Sequence, residues 1–210
     1  MLLEYLGQPV SLANTQTADI LALARQVVGE IGALPQDLPV YLDISTADRW
    51  VTEAEAVLGR LTKLIETARF RLVSREDVSF ARDWALGPSI RELVESSSRL
   101  TNGDMKFDHV FCGPCGFRFV DWAVPLRGPA EIDLVQLLED QHIDPLDHVD
   151  PDLVLLRWFL FLRWAIEGKT SLLPAVPKMF DEWAAMGVAR MRAAVRRRTH
   201  SAGHGRGSHR

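Results

Sequence analysis

The chain has 210 residues, 47% hydrophobic and 25% charged, with a formal net charge of −4. That is long enough to bury a sizeable core, ordinary for a globular chain, and too acidic overall to suggest nucleic acid as a partner. The most apolar run, residues 153–166, is broken by Arg157 and Arg163 and is shorter than the roughly 20 residues that cross a bilayer, so no membrane association is expected.

In chain order, Leu2 to Leu6 form a short apolar run stopped by Gly7 and Pro9, which reads as a strand entering a turn. Residues 17–31 carry Ile20, Leu21, Leu23, Ala24, Val27, Val28 and Ile31 on one stripe, predicting a helix capped by Thr15 or Thr17. A proline-punctuated loop follows over 34–39. Ser45 or Thr46 is then placed to cap a long helix reaching about residue 70, with Trp50, Ala54, Val57, Leu58, Leu61, Leu64 and Ile65 as its apolar face. A helix is expected over 88–96. Val110-Phe111 and Phe117 to Val120 read as strands around a Gly-Pro-Cys-Gly turn. Helices are expected near 132–139, 153–167 and 178–198. Residues 196–210 hold Arg, His, Gly and Ser with a single Ala, the composition of a basic, disordered tail following a domain over 1–195.

Chemistry concentrates between residues 102 and 133. Asn102-Gly103-Asp104 opens a polar loop that runs through Lys106 and Asp108 to His109, the predicted hairpin follows, and Val120-Asp121-Trp122 closes it. A carboxylate in a loop and a second after a hairpin is the minimal layout for phosphoryl transfer from a nucleotide: one accepts the substrate hydroxyl proton, the other holds Mg²⁺ on the phosphates.

This run resembles the catalytic core of the aminoglycoside phosphotransferase family, which has a protein-kinase-like fold. The family pattern is His-Gly-Asp, four variable residues, Asn, a hairpin ending in Ile/Val-Asp-Trp, and a later Asp. By that resemblance Asp104 is the catalytic base, Asp121 binds Mg²⁺, and Asp133 braces the loop. Asn102 stands where the family has His, and His109 where it has a second metal-binding Asn, so His109 is a candidate second ligand although Mg²⁺ prefers oxygen. The resemblance also makes residues 1–9 a hinge-like segment in which the backbone of Glu4, Tyr5 and Leu6 would pair with adenine. The chain contains neither Gly-x-Gly-x-x-Gly nor Gly-x-x-x-x-Gly-Lys-Ser/Thr. It therefore reads as an α+β fold, the mostly helical large lobe of such an enzyme, with the small β-lobe absent or supplied by a separate chain. The implied reaction is ATP- and Mg²⁺-dependent phosphorylation of a hydroxyl on a small cationic molecule. Glu139, Asp140, Asp144, Asp147, Asp150 and Asp152 would supply an acidic surface for that molecule.

Two other readings stay open. A relative lacking a phosphate loop could bind a ligand or partner without catalysis. Cys112-Gly113-Pro114-Cys115 has the spacing of a redox dithiol, but that chemistry needs a helix N-terminus at the first Cys to stabilise the thiolate. The alternating residues after Cys115 predict a strand there, and two cysteines are too few for a zinc site.

Overall fold

The computed structural model describes residues 8–113, 116–173, 175 and 178–204. Among them the chain is α+β and mostly helical, with seven α-helices, a three-stranded sheet and a two-stranded hairpin. It divides into two compact units, each assembled from two separated stretches of chain: Met1–Thr46 with Val94–Val149, and Ala47–Leu93 with Asp150–Arg210.

The first unit is built around helices α1 (Thr17–Gly32) and α5 (Ile132–Asp140). Of the stripe read from the sequence, Ile20, Ala24, Val27, Val28 and Ile31 of α1 are buried and pack with Met105, Phe107, Val110 and with Leu134, Leu137 and Leu138 of α5, while Leu21 and Leu23 are half-buried at its edge. The N-cap of α1 is Gln16, which makes no side-chain capping bond, so neither Thr15 nor Thr17 caps it. Three short strands form the sheet. β5 (Leu126–Pro129) lies in the middle, parallel to β1 (Leu42–Asp43) and antiparallel to β2 (Ser98–Thr101). Arg127 on β5 pairs with Asp43 on β1 at 3.3 Å and donates to the Gln36 carbonyl. The expected hairpin is β3 (Val110–Gly113) against β4 (Gly116–Phe119). Val10 donates to the Val110 carbonyl at 2.8 Å and Pro9 bridges Phe111, tying the start of the described chain to the hairpin.

The second unit consists of α2 (Ala47–Glu66), α3 (Arg75–Ala85), α6 (Pro151–Glu167) and α7 (Met179–His204), with α6 and α7 packed along each other. Trp50, Ala54, Val57, Leu58, Leu61 and Leu64 of α2 are buried as expected, while Ile65 is only half-buried. Trp50 sits edge-on to Trp84 and Phe159, and its indole N–H reaches the Ala85 carbonyl at 2.7 Å. α6 ends in a wide turn over Gly168–Leu172, where Gly168 gives room to the Phe180 ring.

α4 (Pro88–Ser97) begins in the second unit and ends in the first. The tail expected from residue 196 is helical in its first part, because α7 continues to His204. Arg198 there reaches the buried carboxylate of Asp152 at 3.3 Å, an anchor that composition does not reveal. Residues 205–210 lie outside the described residues, as do residues 1–7 of the expected hinge-like segment 1–9, with Glu4, Tyr5 and Leu6.

Candidate functional site: the 102–109 loop

The site lies wholly in the first unit. β2 delivers the chain into the loop at Asn102, which is completely buried. A buried loop must satisfy its backbone polar groups, and α5 does this. The Asp133 carboxylate accepts from the Asn102 N–H at 2.7 Å and the Gly103 N–H at 2.9 Å, one bond to each oxygen. One turn further along α5, the buried Gln136 amide accepts from the Met105 N–H and donates to the Gly103 carbonyl, both at 2.8 Å. Residues three apart share a helix face, so α5 turns one polar pair toward the loop.

Asn102 joins the two candidate catalytic carboxylates. Its side-chain oxygen accepts from the Asp104 N–H at 3.1 Å, and its side-chain nitrogen donates to the Asp121 carbonyl at 3.0 Å. Asn provides a donor and an acceptor at once, and it needs both here. Asp104 is half-buried, and among the described residues no hydrogen bond or ion pair engages its carboxylate. Lys106 and Asp108 are exposed.

Asp121 lies two residues past β4, where Val120 still donates to the His109 carbonyl at 3.1 Å. Its φ of 57° is left-handed, a conformation that Asp tolerates better than most residues. The hairpin base brings His109 beside it. His109 Nε2 is 3.6 Å from Asp121 Oδ2 and 3.5 Å from Asp108 Oδ1, while among the described residues the buried Nδ1 has no hydrogen-bond partner.

Among the described residues no group of three or more His, Cys, Asp or Glu has the arrangement of a metal site. With a nucleotide, Mg²⁺ is held by one or two carboxylates together with phosphate oxygens and water. Asp121, with 54% of its side chain exposed, fits as such a carboxylate. His109, the sequence candidate for a second ligand, places Nε2 beside Asp121, although Mg²⁺ prefers oxygen donors.

Asp144 and Asp150 accept from the Leu146 and Asp152 N–H groups at local caps, and Asp152 is buried against the Trp84 indole. Of the acidic run, Asp152 is buried, while Asp140, Asp144, Asp147 and Asp150 are exposed. Cys112 is exposed on β3, opposite Phe117. Gly116 resumes the chain in β4 rather than at a helix N-terminus, and Cys115 lies outside the described residues. Gln136 has no part in the sequence-level motif. Its signal is a second polar residue three positions after Asp133 in the otherwise apolar run Ile132 to Leu138. No family model matches the chain, and no curated protein matches it significantly.

Proposed function

We propose that this chain is the large lobe of a kinase-like phosphotransferase, acting on a hydroxyl of a small, cationic, aminoglycoside-like molecule with ATP as donor. The observation that carries this reading is the joint geometry of Asp104 and Asp121. Asp104 sits in a loop whose N–H groups are gripped by Asp133, and Asn102 bonds directly to the backbone of both carboxylate residues. The motif departures at Asn102 and His109 are compatible with it, since each side chain is integrated into the same loop.

In this reading the Asp104 carboxylate accepts the proton of the substrate hydroxyl as that oxygen attacks phosphorus. Asp121 would hold Mg²⁺, which when bound neutralises charge on the phosphates. His109, 3.6 Å from Asp121 across the hairpin base, would orient that carboxylate or help it hold the ion. Catalysis rests on position and charge, because phosphoryl transfer asks little covalent chemistry of the protein. Adenine would meet the segment at Glu4, Tyr5 and Leu6, and a glycine-rich phosphate loop would come from a small lobe outside this sequence.

Calorimetric titration with ATP and Mg²⁺ tests the assignment. Asp121→Asn is the appropriate control, since Asn also adopts left-handed backbone readily and the change removes only charge. Wild type is expected to bind weakly and the variant about tenfold more weakly, a loss of roughly 1.4 kcal/mol. Equal binding removes the role given to Asp121. With a small lobe supplied, wild type should phosphorylate members of an aminoglycoside panel and Asp104→Ala should not.

A second reading, a ligand- or partner-binding relative without catalysis, draws on one observation: the group beside Asp121 Oδ2, at 3.6 Å, is the imidazole Nε2 of His109 rather than the oxygen donor Mg²⁺ prefers. Absence of ATP binding by both proteins would favour it.

A further inference from the structure

We infer that Gln136 is a positioning residue for Asp104, an assignment that rests on the phosphotransferase reading for its catalytic meaning. Its amide bonds the carbonyl of the residue before Asp104 and the N–H of the residue after it, both at 2.8 Å. Asp104's own N–H is held by Asn102, and the N–H groups of Asn102 and Gly103 by Asp133. Each peptide group flanking the candidate base thus has one bond to Gln136 of α5, and among the described residues no hydrogen bond or ion pair engages the base carboxylate.

The chemistry requires a primary amide. One partner is an acceptor and the other a donor, so a carboxylate would lose the bond to Gly103 and an apolar side chain would lose both. Gln136 is 6% exposed, so water does not replace what is lost. Its Cα lies on a buried helix among Leu134, Val135, Leu137 and Leu138, whose packing does not depend on the amide. Losing the clamp is therefore expected to release the Asp104 backbone while the core persists. Misplacement of a reacting group costs rate far more than affinity.

The test compares full-length wild type, Gln136→Met and Gln136→Glu. Met keeps the volume and neither bond; Glu keeps the acceptor for Met105. The first readout needs no activity. Hydrogen exchange at the Met105 amide should quicken by about tenfold or more in Gln136→Met, the equivalent of one lost buried hydrogen bond. It should be intermediate in Gln136→Glu, with Val27 and Val28 in α1 unchanged in both. The ¹³C shift of the Asp104 carboxyl should move in the same order. Unchanged exchange and shift overturn the inference, and so does loss of α1 protection in step with the loop, which marks a general structural role.

The second readout is ATP-dependent phosphorylation of an aminoglycoside by the chain with a small lobe supplied. Turnover (kcat) should fall about tenfold or more in Gln136→Met while KM for ATP holds within about twofold, with partial recovery in Gln136→Glu. An unchanged kcat overturns the inference. Should Gln136→Met fail to fold, Gln136→Glu alone must still show intermediate loss; wild-type behaviour in all readouts overturns the inference. A wild type inactive on every substrate defeats the phosphotransferase reading instead, and exchange and carboxyl shift then decide whether Gln136 holds Asp104.

Discussion

Gly103 is the residue on which the loop turns. Its φ is +83°, and a Cβ there would stand 2.4 Å from the Val124 carbonyl oxygen. Left-handed backbone and close approach both require glycine. Gly103→Ala is therefore expected to cost about 2–4 kcal/mol, combining backbone strain with a backbone clash that cannot relax by rotamer change. A lowered urea midpoint would register it, and a wild-type midpoint would contradict the geometry. The sequence motif marked Gly103 as the partner of Asp104 without showing which atom opposes it. Asp104, Asp121 and Asp133 were legible together because their residue types and spacing carry the pattern. Gln136 was not, because glutamine on a helix is usually solvated and only the tertiary fold buries this one. The closeness of His109 Nε2 to Asp121 was also hidden, since it depends on register across the hairpin base.

Among elements, the long amphipathic helices were read closely and the sparsely apolar ones were not. α3 buries only Val78, Ala81 and Ala85, a narrow stripe among charged residues. Its start does carry a readable signal, the capping box between Ser74 and Asp77, in which each side chain accepts from the other's backbone N–H. Ser74→Ala should cost about 1 kcal/mol of stability, measurable by denaturant unfolding. Burial alone would raise the pKa of Asp77. The Ser74 N–H and hydroxyl and the Arg192 guanidinium overcome it and hold the carboxyl below its usual range. Because the folded value is lowered, this contribution is present above the ordinary carboxylate value of about 3.9 and is lost as the pH falls through the folded value. The stability gap between wild type and Asp77→Asn should accordingly be wide at neutral pH and narrow in acid; a gap that grows in acid would refute the sign. β1, β2 and β5 are two to four residues long, too short for a period of two to register. β5 also contains Gly128 and Pro129, residues that normally argue against a strand.

For the whole molecule, the consequential fact is that each unit is completed by two stretches of chain. A fragment of residues 1–149 retains Asn102, Asp104, His109, Asp121, Asp133 and Gln136 but removes α6 and α7. Trp50, Leu58 and Leu61 of α2, fully buried in the intact chain, lose helices of their own unit, including Phe159 beside Trp50. The fragment should bind a hydrophobic dye strongly and lose near-ultraviolet circular dichroism from Trp50 and Trp84. A fragment with native spectra would show that the second unit does not need its C-terminal helices. Among the described residues no helix is long and apolar enough to cross a membrane.

By itself the sequence determined the mostly helical α+β class, the stripes of α1 and α2, the hairpin and the spacing of the three aspartates. These depend on local periodicity and residue type, which a linear reading can register. Tertiary structure alone decided the division into two interleaved units, the strand order β1-β5-β2, the continuation of α7 past residue 196, and the grip of Asp133 and Gln136 on the loop. Each joins residues separated by tens of positions. In such cases the satisfaction of buried polar groups selects the partner, and that selection exists only once the chain is folded.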